Sequence, residues 1–81
     1  MKVEKIKDYI CQGREIEFTY NNKRYSITYG EINGEDVISF CEFYKESTEA
    51  KSINELMQIK RDNITVEEMI NCISENDIDV Y

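Results

Sequence analysis

The 81-residue chain has no histidine, no tryptophan and no proline. Without histidine there is no imidazole base, no Ser-His or Cys-His nucleophile pair and no histidine metal ligand. Glycine is scarce: Gly13, Gly30 and Gly34 stand apart, so no glycine-rich loop can cradle a phosphate. The three cysteines, Cys11, Cys41 and Cys72, are odd in number, widely spaced and without a CxxC pair. They read as reduced, partly buried thiols rather than as a zinc set or a disulfide framework. Basic residues are few, 10 against 17 acidic, for a net charge of −7. No apolar run approaches the roughly 18 residues of a membrane span. The first ten residues, MKVEKIKDYI, scatter charges where a signal peptide needs an apolar stretch. These absences lead to the expectation of a cytoplasmic protein that is not an enzyme and holds no cofactor or metal.

What is present is enough to fold. With 33% charged and 41% hydrophobic residues the composition is that of a globular chain, and residues 1–81 make one small domain. A chain of this size buries only about 60–65% of its unfolded surface. A homodimer or a stabilising partner is therefore in keeping with its thin core.

Hydrophobic spacing places the elements. Val3, Ile6 and Ile10 follow i, i+3, i+7, with Tyr9 beside them, so residues 2–12 are predicted to be a helix. Gly13 stands where a left-handed cap would close it. Residues 15–20 alternate as a half-buried strand. Asn21-Asn22 follows, and asparagine tolerates the positive φ of a two-residue hairpin turn. A second strand carries Tyr25, Ile27 and Tyr29. Asn33-Gly34 repeats the turn signal, and a third strand holds Ile38 and Phe40. Residues 45–51, KESTEAK, lack periodicity and read as a loop. Ser52 with Glu55, and Thr65 with Glu68, have capping-box form and open helices predicted at 53–60 and 66–74. Arg61-Asp62-Asn63 reads as the link between them. Ile78 and Val80 alternate near the end, as an added edge strand or as a tail lying on the sheet.

The two turns test each other. Two-residue loops at both sites set Ile16 against Ile27, Phe18 against Tyr25, Ile27 against Phe40, and Tyr29 against Ile38. A slip of one residue would turn a whole strand's apolar set to the wrong face. The prediction is an α+β fold of order α-β-β-β-α-α: a three-stranded antiparallel meander with helices packed on one face. Its core face would hold Ile16, Phe18, Tyr20, Tyr25, Ile27, Tyr29, Ile38 and Phe40. The other face is mostly polar, apart from Cys41 and Phe43.

Charge is the main functional clue. Residues 1–30 hold six basic and four acidic side chains; residues 31–81 hold four and thirteen. Glu55, Asp62, Glu67, Glu68, Glu75, Asp77 and Asp79 are candidates for one acidic surface that imitates a phosphate backbone and docks on a basic groove. Glu31, Glu35 and Asp36 read as a solvated acidic turn. The leading expectation is an acidic protein-binding module whose partner is another protein, in its most concrete form an enzyme that processes nucleic acid or a defence protein. One alternative is nucleic-acid binding through a basic helix and hairpin (Lys2, Lys5, Lys7, Arg14, Lys23, Arg24). A second is a small-molecule sensor lined by tyrosines. Nucleic acid is disfavoured as a partner, because affinity for it comes largely from neutralising phosphates.

Two resemblances add to this reading. The α-β-β-β-α order over residues 2–74 is similar to that of the double-stranded-RNA-binding domain. That family grips phosphates with lysines at the start of its last helix, where this chain has Val66-Glu67-Glu68, so the RNA function does not carry over. The segments GREIEFTYNNKRYSIT, SINELMQIK and ITVEEMI resemble small uncharacterised proteins of Firmicutes and their phages. That resemblance implies a phage or mobile-element accessory protein and carries no catalytic motif; small size and uneven acidic charge point to one that inhibits a host protein by occluding its basic surface.

Overall fold

The structure, a computed structural model, describes residues 2–81. Helix α1 spans Lys2–Cys11. Its apolar stripe, Val3, Ile6 and Ile10, is buried. Gly13 ends it at φ 73°: its N–H donates to the Ile10 carbonyl, and the Arg14 N–H reaches back to the Tyr9 carbonyl. This is the paired C-terminal closure that a left-handed residue permits.

Strands β1 (Ile16–Tyr20), β2 (Lys23–Ile32) and β3 (Glu35–Glu42) form the expected meander. Ile16 faces Ile27, Phe18 faces Tyr25, Ile27 faces Phe40, and Tyr29 faces Ile38. Both turns are left-handed throughout, with φ of 52° and 64° at Asn21-Asn22, and 53° and 83° at Asn33-Gly34. Such turns match the right-handed twist of the strands they join.

The sheet is larger than a meander. Its order is β4-β3-β2-β1-β7, five strands. The segment expected as a loop contains β4 (Ser47–Ala50), antiparallel to β3. It lacks apolar alternation because only Thr48 and Ala50 turn to the helix side, and neither is large. Past α2 (Ile53–Met57), the expected link is a small hairpin of β5 (Lys60–Arg61) and β6 (Ile64–Thr65). Its turn, Asp62-Asn63, repeats the positive-φ pattern at 53° and 66°. Helix α3 (Val66–Cys72), a 3₁₀ turn at Glu75–Asp77 and β7 (Ile78–Val80) complete the chain. Strand β7 pairs with β1 and settles the terminal segment as an edge strand. The α-β-β-β-α-α order is thus corrected to an α+β fold with two further sheet strands. α2 and α3 are also shorter than expected, because Gln58 and Ile73 already act as their caps.

The three helices cover one face of the sheet. Phe18, Tyr25 and Phe40 stack there at centroid distances of 5.3–6.2 Å. Leu56, Met57, Val66, Met69 and Ile70 close over them, each at 1% exposure or less. Tyr20, Tyr29 and Ile38 are only half-buried at the core's margin. On the uncovered face Val37 is buried, while Phe43 is half-buried and stands edge-on to the fully exposed Tyr44.

The two capping signals differ. Ser52 accepts the Glu55 N–H alone. Thr65 makes the full box: its hydroxyl accepts the Glu68 N–H at 3.1 Å, and the Glu68 carboxylate accepts the Thr65 N–H at 3.0 Å. The Thr65 N–H, and then its hydroxyl, hold the Glu68 carboxyl below its ordinary pKa. Glu68 therefore contributes stability above the ordinary carboxylate pKa, and the contribution is lost as pH falls through the lowered value. Thr65→Ala is expected to cost about 1 kcal/mol in urea melts near neutral pH. Glu68→Gln should flatten the decline of stability between about pH 5 and pH 3; an unchanged acid arm would count against the box.

Candidate partner-binding surface

The seven carboxylates expected on one surface lie in separate elements. Glu55 is in the first turn of α2, Glu67 and Glu68 in that of α3, Asp62 in the β5–β6 turn, Glu75 and Asp77 in the 3₁₀ turn, and Asp79 on β7. Three already have partners within the chain. Asp62 pairs with Lys23 at 3.2 Å, Glu68 belongs to the capping box, and Asp79 pairs with Arg24. Asp79 points to the uncovered sheet face beside Glu17, away from the helices.

Three of the six basic residues, Arg14, Lys23 and Arg24, are engaged as well. The Asp62 carboxylate raises the pKa of Lys23, and Asp79, with Glu17 behind it, raises that of Arg24. Arg24 thus ties β2, β1 and β7 together across the open face. The Arg14 guanidinium lies over the Tyr9 ring, 5.1 Å from its centroid, and donates to the Tyr81 carbonyl. Lys5 is exposed on α1 and Lys7 half-buried; the Lys2 side chain lies outside the described residues. Of the tyrosines, Tyr25 is 1% exposed within the aromatic stack, so its ring is closed to a ligand. Burial pushes the Tyr29 hydroxyl's pKa up, and that hydroxyl donates to the Arg14 carbonyl at 2.6 Å.

A different acidic cluster forms at the far end of the sheet. β1 pairs with β2 only as far as Ile27, and β4 pairs with β3 only as far as Ile38. The β2–β3 hairpin runs on beyond both neighbours through residues 28–37. At its end Ile32 is 48% exposed, with the exposed Glu35 opposite it on the same face and the exposed Glu31 and Asp36 on the other. Glu49 from β4 and Glu55 from α2 line one concave patch with Ile32, Asn33, Glu35, Val37 and Lys51. Lys51 is the cation within this group, 3.4 Å from Glu35.

This arrangement is not explained by folding. Glu31 stands directly opposite Asp36 in the ladder, and like charges so placed are destabilising. Neither makes an ion pair among the described residues. Only Glu55 of the seven expected carboxylates joins the cluster. The acids at the Asn33-Gly34 turn were visible in the sequence; the overhang depends on where β1 and β4 stop pairing with the hairpin.

Among the described residues no helix is long and apolar enough to cross a membrane, and no group of three or more Cys, Asp or Glu is placed to hold a metal ion. Comparison of the chain with protein-family models, curated proteins and solved structures gives no match.

Proposed function

We propose that this chain is a non-enzymatic, acidic protein-binding module that occupies a basic surface on another protein. The observation that carries the reading is the overhanging hairpin: an exposed Ile32 with Glu35, Glu49 and Glu55 on one face, and the exposed Glu31 and Asp36 on the other face of the same hairpin. An apolar anchor inside a charged rim is the general form of a binding hot spot. The excess of carboxylates over the one cation, Lys51, gives fast, salt-sensitive association with a cationic groove. In its most concrete form the module is a phage or mobile-element accessory protein that occludes the basic groove of a host nucleic-acid-processing or defence enzyme.

The test is a pair of baits in host lysate, the wild-type chain and a Glu31→Gln, Glu35→Gln, Asp36→Asn variant. At about 0.05 M salt the wild type should retain a protein that is released near 0.5 M. The variant should retain none of it, yet be as stable as the wild type or more stable by a few tenths of a kcal/mol, because the Glu31–Asp36 repulsion is gone. Equal retention by both baits would refute the assignment of the surface. A gel shift of RNA or DNA at low salt would favour the basic-helix alternative, against which Lys23 and Arg24 are already matched to carboxylates.

A further inference from the structure

We infer that the cleft between α1 and the outer edge of β7 is a docking site for an extended peptide, which joins the sheet antiparallel to β7 and sets an acidic side chain against Arg14. This site is independent of the hairpin and goes beyond the function proposed above. Strand β7 is the last in the sheet order, so its outer edge is unpaired. On its inner side Tyr81 donates its N–H to the Glu15 carbonyl, and Asp79 lies opposite Glu17. Inward and outward bonding alternate along an antiparallel strand. With Tyr81 and Asp79 bonded inward, the N–H and C=O of Val80 and the C=O of Ile78 point outward. The Ile78 N–H is used by the 3₁₀ turn, donating to the Glu75 carbonyl. Three free main-chain groups in register are what an added strand needs.

The side chains supply the second half of the site. Ile78 and Val80 both turn to the helix side and are only half-buried. With Ile6 and Tyr9 of α1 they line the cleft, and Lys5 and Glu75 stand at its mouth. Alternate side chains of an incoming strand would drop into this cleft. At the end where β7 finishes, Arg14 is held by the Tyr9 ring and by the Tyr81 carbonyl, 3.0 Å from its Nε. It makes no ion pair among the described residues, so its terminal nitrogens remain for a carboxylate. Against the chain's net charge of −7, Arg14, fixed at the end of the open strand, gives one carboxylate of an incoming peptide a local partner. Because β7 runs toward Arg14, antiparallel pairing puts the acid at the peptide's leading end.

The probe is an acetylated, amidated hexapeptide, Glu-Thr-Val-Thr-Ile-Thr, titrated into isotope-labelled protein and followed by amide NMR. Shifts should gather at Ile6, Tyr9, Ile78 and Val80, and exchange of the Val80 amide should slow. Arg14→Ala in the protein, or lysine for glutamate in the peptide, should each weaken binding at least about fivefold. N-methylation at alternate peptide residues should abolish binding in the set facing β7 and be tolerated in the other. The inference is overturned by no shifts at millimolar peptide, by shifts centred elsewhere, or by equal binding of both N-methylated forms. It is also overturned if the peptide-free protein sediments as a dimer with the Val80 amide already protected, since a second copy would then hold that edge.

Discussion

The Phe40→Ala variant is expected to lose about 3–5 kcal/mol of stability, the largest effect of any single truncation in this fold. Phe40 has no solvent exposure and packs against Tyr25, at 5.3 Å, and Phe18, at 6.2 Å. The Arg61 guanidinium covers its ring at 5.5 Å. Removing the ring deletes a buried aromatic surface and two stacked pairs, each worth about 0.5–1.5 kcal/mol beyond area burial. The neighbours stand on paired strands and have little freedom to close the cavity. A chain of this length holds roughly 4–12 kcal/mol in total, so the loss reaches a large fraction of what there is. Urea melts followed by circular dichroism measure it. A loss under about 1.5 kcal/mol would mean that the aromatic stack is not the centre of the core. Phe40→Leu keeps most of the volume and should retain most of the stability.

The second large effect is at a turn. Replacing Asn21-Asn22 with Ala-Ala should cost about 2 kcal/mol, although neither side chain is buried. Both residues sit at positive φ, 52° and 64°, where a Cβ-bearing residue is penalised and asparagine is penalised least. Asn22→Gly, by contrast, should be neutral or stabilising, since glycine adopts that conformation freely. The urea midpoint of the Ala-Ala variant should fall, while that of Asn22→Gly should hold or rise. An Ala-Ala variant as stable as the wild type would show that the turn follows the strands rather than setting them.

These two sites also mark how far the sequence could be read. The turn at Asn21-Asn22 and the stack around Phe40 were both legible, because each rests on a local rule. Positive φ selects asparagine or glycine at two adjacent positions, and period-two alternation assigns every side chain to a face. Strand β4 was not legible, because Ser47–Ala50 needs only backbone pairing with β3 and a small residue over the helix layer. The Asp62-Asn63 turn carried the same signal as the first two. Its flanking strands are two residues long and show no alternation, so the sequence reads there as a link. The acidic surface failed in a similar way. The seven carboxylates are set in separate elements, two of them paired with cations and Glu68 held in a capping box.

By itself, then, the sequence determined the registers of three strands, the closure of α1 at Gly13, the N-caps of α2 and α3 and the apolar set that meets beneath them, since these follow from conformational preferences acting over a few residues. Tertiary structure alone decided that β7 returns to the edge of β1, that the β2–β3 hairpin outruns its neighbours, and that Glu49 and Glu55 join Glu31, Glu35 and Asp36 at its end. Those outcomes depend on which distant backbone edges find each other and where a short strand stops. Such pairing is made by main-chain groups that every residue carries alike, and so it leaves little imprint on side-chain identity.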